Sequence, residues 1–205
     1  MIASNTVSFA NVWNQLIEFV KKPRLNPLPD SLLTIPQKVF PYLLAIDFLL
    51  MIPVLALISL TGIEGEQHET MNLLDNPVNL FFLAVVLAPI AEELVFRFPI
   101  GEWWEKADFF RFDLSEASIV EWWKQNFRPI FWSFTLFFAF LHFSNFTSNV
   151  PFYFAPILVL PQFILGIILG FIRVGWGTRY SILFHAIHNG MLLLPLVLGG
   201  ASLSS

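Results

Sequence analysis

Three ionisable residues, Glu92, Glu93 and Arg97, lie within six positions of one another in the apolar stretch LAVVLAPIAEELVFRFPIG. Placing one ionised side chain at the centre of a membrane-spanning helix costs about 3 kcal/mol. A membrane helix that carries three of them needs a structure that compensates for this cost, or a use for the charges. We therefore interpret the segment as a functional site.

Polar residues also interrupt other apolar segments of the chain. His142 ends the run FAFLH, and His185 and His188 lie in YSILFHAIHNGMLLL, where Asn189 follows directly. A single histidine inside a membrane more often makes a structural hydrogen bond than it catalyses a reaction, but here polar groups from three segments are expected to converge. Asp47, alone in a further apolar segment, is expected to bond to a neighbouring helix.

These residue types are sufficient for hydrolysis by activated water. Glu92 can act as a general base toward a water molecule that His142 helps to orient. His185 and Asn189 lie one helical turn apart on the same face, and both can donate N–H groups to an oxyanion. No serine or cysteine nucleophile is then required, and the chain contains no cysteine. The alternative is metal catalysis, because Glu92, His142 and His185 are ligands that could hold a zinc ion.

Helical spacing separates the roles of the two glutamates. Glu93 and Arg97 are four residues apart with the acid first, which is the order that favours an ion pair on one helix face. Glu92 points about 100° away from Glu93 and so stays free of that pair. Pro89 removes a backbone hydrogen bond and is expected to kink the helix beside the site.

The composition is typical of a polytopic membrane protein. Hydrophobic residues make up 56% of the 205 residues and charged residues 13%, whereas soluble domains contain roughly 25% charged residues. A membrane span needs about 20 mostly apolar residues. Five segments qualify: 39–62, 77–99, 128–147, 155–174 and 180–199. We therefore predict an all-α protein with about five transmembrane helices. For His142 to reach the depth of Glu92, the third span must begin below the membrane plane or tilt.

The predicted domain organisation has two parts. Residues 1–38 are expected to form an N-terminal region, in which apolar residues recur at helical spacing from Val7 to Lys22. This pattern predicts an amphipathic helix at the membrane interface, followed by a proline-rich connector. Residues 39–205 are expected to form the integral membrane domain. The aromatic loop between the second and third spans includes a predicted short helix that runs toward Trp122.

All eleven basic residues lie on one side of the predicted spans. They precede the first span, end the second, or lie in the loops after the second and fourth spans, whereas the opposite loops contain no Lys or Arg. The positive-inside rule then predicts a cytoplasmic N-terminus and a non-cytoplasmic C-terminus. The expected location is the plasma membrane if the source is prokaryotic.

Three short motifs, each on a different predicted span, resemble those of a known family. EELVFR at 92–97 is similar to the family's EExxxR motif, FAFLH at 138–142 to its FxxxH motif, and HAIHN at 185–189 to its HxxxN motif. These motifs belong to the CAAX protease and bacteriocin-processing family, a group of intramembrane proteases that includes the type II CAAX prenyl endopeptidases. The resemblance covers a core at about 77–198, with the three motifs in the family's order.

The resemblance implies an intramembrane endopeptidase that cuts near the C-terminus of a membrane-associated or lipidated peptide. It also implies roles for seven residues, which activate water (Glu92, His142), form the oxyanion site (His185, Asn189) or support the fold (Glu93, Arg97, Phe138). We favour the metal-independent mechanism, which needs no cofactor, over the zinc alternative. The expected partners are the lipid bilayer and a peptide or protein substrate, with no nucleic acid. The alternative function is a non-catalytic scaffold or bacteriocin self-immunity protein that retains the motifs.

Overall fold

The computed structural model describes residues 7–25, 28, 36–63, 77–101, 117–146 and 150–203. The secondary structure of these residues is helical, which confirms the predicted all-α class. The α-helices are α1 (Phe9–Lys21), α2 (Pro36–Ser59), α3 (Pro77–Phe82), α4 (Ala88–Phe96), α5 (Ala117–Gln125), α6 (Phe127–Leu141), α7 (Ala155–Leu158), α8 (Leu160–Trp176) and α9 (Thr178–Leu203). A π-helical turn (Leu83–Leu87) joins α3 to α4, and 3₁₀ turns occupy His142–Asn145 and Phe152–Phe154.

The predicted N-terminal amphipathic helix is present as α1. The side chain of Ser8 accepts a hydrogen bond from the backbone N–H of Asn11 and so caps its first turn. The apolar face of α1 packs against the helix bundle, because the ring of Phe19 lies 5.0 Å from that of Phe131 and 5.3 Å from that of Phe171. Protein therefore covers the apolar face that the sequence assigns to the membrane interface. Most of the predicted connector and of the aromatic loop lies outside the described residues.

Helix α8 is the centre of the bundle and packs against α2, α6 and α9. It is apolar around its whole circumference, with most of its side chains from Leu165 to Val174 buried, as expected for a helix surrounded by others. Gly170 lets α6 approach closely, because a Cβ atom there would lie 2.5 Å from Cε2 of Phe131. This close approach to α8 places the end of α6 near α4 and α9. These two helices carry the other site residues.

All five predicted spans contain helix. Fewer than five of the described helices, however, are long and apolar enough to cross a membrane. In the part of the chain that the structure describes, Pro36–Ser59 and Asn79–Phe96 are long and apolar enough to cross a membrane. Phe152–Leu158 and Leu160–Trp176 meet at 45° and make a third crossing if they form one broken span. Helix α6 has 15 residues, or about 22 Å, and is shorter than the roughly 30 Å hydrocarbon core.

Candidate active site

The irregularity expected near Pro89 takes the form of the π turn that precedes α4. In this turn the backbone N–H of Ala88 bonds to the carbonyl oxygen of Leu83, so it no longer bonds to that of Ala84. The next donor in a π pattern would be residue 89, and proline has no N–H. The side-chain amide of Asn189 fills the vacancy by donating from Nδ2 to the Ala84 oxygen at 2.9 Å. Asn189 thus completes the hydrogen bonding of the broken helix.

Three of the predicted catalytic residues come together from three different helical segments. Glu92 Oε2 lies 3.9 Å from His142 Nε2 and 3.7 Å from His185 Nε2. The side chains of Glu92 and His142 are 28% and 20% exposed, whereas that of His185 is 3% exposed. Because α6 is short, His142 directly follows its C-terminal end and meets Glu92 at the same depth. The side chains of Glu92 and His142 are therefore partly exposed, although the Oε2 atom of Glu92 is itself buried, and the side chain of His185 is almost fully buried.

The hydrogen bond of His142 defines which of its nitrogens faces Glu92. Nδ1 of His142 lies 2.8 Å from the carbonyl oxygen of Phe138, and a carbonyl can only accept, so Nδ1 carries the hydrogen. In the neutral ring Nε2 then has the free lone pair. The Phe138 ring also packs against the imidazole, with centroids 4.7 Å apart. Phe138 therefore fixes both the tautomer and the orientation of His142.

Glu93 and Arg97 do not form the close ion pair that the spacing predicts, and Glu93 lies against His185 instead. Glu93 Oε1 lies 3.2 Å from His185 Nδ1, and Glu93 is fully buried. Helix α4 ends at Phe96, and Arg97 has φ −111°, so the four-residue spacing of a regular helix does not extend to it. The guanidinium of Arg97 lies over the ring of Phe138, with Cζ 4.4 Å from the centroid.

Arg97 is fully buried, and its guanidinium nitrogens have no hydrogen-bond partner among the described residues. The ring of Phe138 and the electrostatic interaction with the nearby Glu93 and Glu92 offset part of the cost of burying its charge. Gly166 leaves space for it, because a Cβ atom there would lie 3.1 Å from Arg97 Nη2. Arg97 therefore serves as a buried support beneath the site.

Arg173 of α8 holds the end of α4, a role that the sequence does not reveal. Its Nε donates to the carbonyl oxygen of Arg97 at 2.9 Å and its Nη2 to that of Phe98 at 3.1 Å. These bonds satisfy carbonyl groups that a helix end leaves without partners. Gly101 makes room for Arg173, since a Cβ atom at Gly101 would overlap its guanidinium. From the sequence alone, Arg173 was only one of the basic residues that predict the membrane orientation.

Asp47 contacts a neighbouring helix as predicted, and its partner is His188. Asp47 Oδ2 of α2 lies 2.6 Å from His188 Nδ1 of α9, and both side chains are buried. The ring of Phe48 stacks on the imidazole at a centroid distance of 5.5 Å. The pair joins α2 to α9 one helical turn beyond His185.

A cavity of about 320 Å³ lies beside His142 and His188. Its lining is mostly apolar and includes Met51 and Leu55 from α2 and Leu192 from α9. The cavity is large enough for an apolar side chain of a peptide, and it places such a group next to the imidazole of His142. His142 therefore belongs both to the cluster around Glu92 and to the lining of this apolar cavity.

The zinc alternative, with Glu92, His142 and His185 as its ligands, stays a prediction. Within the described ranges, no group of three His, Cys, Asp or Glu residues is arranged to hold a metal ion. We therefore derive no catalytic step through a metal ion.

An all-helical membrane protein that gathers a glutamate and two histidines beside an apolar cavity has the features of an intramembrane hydrolase. The family model described as Type II CAAX prenyl endopeptidase Rce1-like matches residues 75–191, which is more than half of the chain. The chain belongs to this Rce1-like family of CAAX-protease-type enzymes, and the resemblance inferred from the three motifs is confirmed. No curated protein and no solved structure matches the chain significantly.

Proposed function

We propose that the protein is an intramembrane endopeptidase in which Glu92 and His142 activate the attacking water. The observation that carries this proposal is the 3.9 Å separation between Glu92 Oε2 and His142 Nε2. Both atoms are hydrogen-bond acceptors when the ring is neutral, and they are too far apart for a direct hydrogen bond. A water molecule beside them can donate one hydrogen to each, which directs its lone pair toward a peptide carbonyl.

In the proposed reaction Glu92 takes a proton from this water as the water oxygen attacks the carbonyl carbon. The resulting tetrahedral intermediate collapses, the C–N bond breaks, and the proton passes from Glu92 to the departing amine. One water molecule is consumed, and the products are a carboxylic acid and an amine, which ionise to a carboxylate and an ammonium group. No covalent bond to the protein forms.

His185 and Asn189 are the proposed donors to the oxyanion of this intermediate. Nδ1 of His185 faces Glu93, and a carboxylate can only accept a hydrogen bond, so the oxyanion role requires a ring that also carries a hydrogen on Nε2. Asn189 uses one N–H for the carbonyl oxygen of Ala84 and has a second to offer. Glu93 is the positioning residue for His185.

The proposed substrate is a membrane-associated or lipidated peptide that is cut near its C-terminus. The apolar cavity beside His142 supports a substrate with an apolar side chain next to the cleaved bond. The proposal includes the orientation predicted from the basic residues, with a cytoplasmic N-terminus.

The function can be tested by comparing the C-termini of membrane proteins and peptides with and without this protein. Membranes from cells that express the chain should contain new shortened C-termini, identified by mass spectrometry, that are absent from membranes of cells carrying an empty vector. If the two sets of C-termini are identical although the protein is present and folded, the proposed protease activity is contradicted. The result would instead favour a non-catalytic scaffold or self-immunity role.

Chelation tests the metal-independent mechanism. We expect the purified, active protein to retain its cleavage rate, within about twofold, after incubation with a strong chelator and removal of the chelated metal by desalting. The expected result follows from a water molecule held by Glu92 and His142 alone. Complete loss of activity that zinc restores would overturn this mechanism, while the melting temperature would show whether the treatment had unfolded the protein.

A further inference from the structure

A second cavity, of about 600 Å³, lies where α1 ends and where α5 meets α6. Its lining includes four basic residues, Lys22, Arg24, Lys124 and Arg128, and its described lining contains no acidic residue. These are four of the eleven basic residues of the chain. They come from two segments far apart in sequence, so the concentration of positive charge is a product of the fold. None of the residues around Glu92 takes part.

Favourable interactions with helix dipoles account for the positions of only some of these four basic residues. Lys22 is the C-cap of α1 and Lys124 lies in the last turn of α5, where a cation is favoured by the helix dipole. Arg128 is the second residue of α6, and there the dipole disfavours a cation. The helix dipole therefore does not explain why Arg128 lies beside the other three basic side chains.

The cavity also has an apolar floor and a fixed frame. Pro23 and Phe127 are buried, and Leu25 packs against the core. The backbone at Lys22 is held by bonds from its N–H to the carbonyl oxygens of Glu18 and Phe19. The basic side chains are exposed, so a cationic rim surrounds an apolar base.

We propose that this cavity binds the phosphate-bearing headgroup of an anionic phospholipid. The cavity lies between the end of the amphipathic helix α1 and the start of the predicted span at 128–147, and basic residues at the end of a span are expected to face lipid headgroups. Several Lys and Arg side chains around one concavity match a phosphate group, and the apolar floor suits the glycerol region below it. A zwitterionic headgroup would bring its own cation among four others and is disfavoured. This site is independent of the proposed peptidase activity.

The test is a lipid titration followed by native mass spectrometry of the full chain in a neutral detergent. We expect phosphatidylglycerol to bind at least tenfold more tightly than phosphatidylcholine. The double variant Lys22→Gln, Arg24→Gln should weaken phosphatidylglycerol binding by about tenfold or more, because each basic residue near an anionic headgroup contributes to binding. The matched control is Lys21→Gln, Lys38→Gln, which removes two exposed basic residues outside the cavity and should change binding less than about twofold.

Three results would each overturn the proposal. Equal binding of the two lipids would show that the cavity does not select an anionic headgroup. Equal weakening by both double variants would assign binding to the general positive charge of this side of the protein. Inorganic phosphate that binds as tightly as the lipid and displaces it would identify a site for a soluble phosphate instead. Melting temperatures of both double variants within a few degrees of wild type would show that folding does not cause the difference.

Discussion

Replacing Glu92 with glutamine should lower the rate of peptide cleavage by about 10²–10⁴-fold, which is the usual contribution of a general base. Glutamine keeps the shape of the side chain, but its amide cannot take a proton from water. The protein should still fold, because the Glu92 side chain is 28% exposed and makes no close ion pair. The measurement is the initial rate of cleavage of a peptide identified from the new C-termini, together with the melting temperature.

A matched control for this substitution is Glu121→Gln. Glu121 is exposed on α5 and accepts a hydrogen bond from Gln125 at 3.1 Å, and the amide oxygen of glutamine can accept the same bond. The control should keep the wild-type rate within about twofold. A folded Glu92→Gln protein that retains more than a tenth of the wild-type rate would exclude Glu92 as the base.

The second prediction compares two histidines of the same helix. His185→Phe should lower the cleavage rate by about 10²–10³-fold, the typical effect of removing one oxyanion donor. His188→Phe should lower the rate of the folded protein far less, because His188 pairs with Asp47 and lines the apolar cavity, whereas Glu92 contacts His142 and His185. The two changes are chemically identical and lie three residues apart.

The stability of the folded protein should fall in both His185→Phe and His188→Phe. Loss of stability alone therefore cannot explain a difference in rate between them. Each substitution leaves a fully buried carboxylate, Glu93 or Asp47, without its imidazole partner, at a cost of about 1–3 kcal/mol. Thermal unfolding in detergent measures this loss, and rates should be compared at a temperature where both variants are folded. Equal loss of activity in both variants would mean that His185 acts only through the fold.

The sequence predicts the parts of the site that depend on residue type and order. Glu92, His142 and His185 are polar groups on three apolar segments, and the cost of placing them in a membrane is enough to indicate a shared site. The structure brings these three side chains together. Their catalytic roles, with that of Asn189, remain predictions that the variants above test.

The partners of the buried charges could not be predicted from local spacing. Spacing shows which residues share a helix face, but it does not show where the helix ends or which neighbour it meets. Glu93 pairs with His185 because α4 ends before Arg97, and Asp47 pairs with His188 because two distant helices pack together. The number of about five spans stays a prediction, and hydropathy also does not show that α6 gives way to a 3₁₀ turn at His142.

The π turn before α4 also determines the rotational register of the site. A π turn accommodates one more residue than an α-helical turn, so every side chain after it is rotated by about 100° relative to an uninterrupted helix. Glu92 faces the histidines as a result of this offset, which arises five residues before it. The amide of Asn189 secures the turn from the helix that carries His185. The hydrogen bond from Asn189 to Ala84 thus links the direction of the Glu92 carboxylate on α4 to the position of the His185 imidazole on α9.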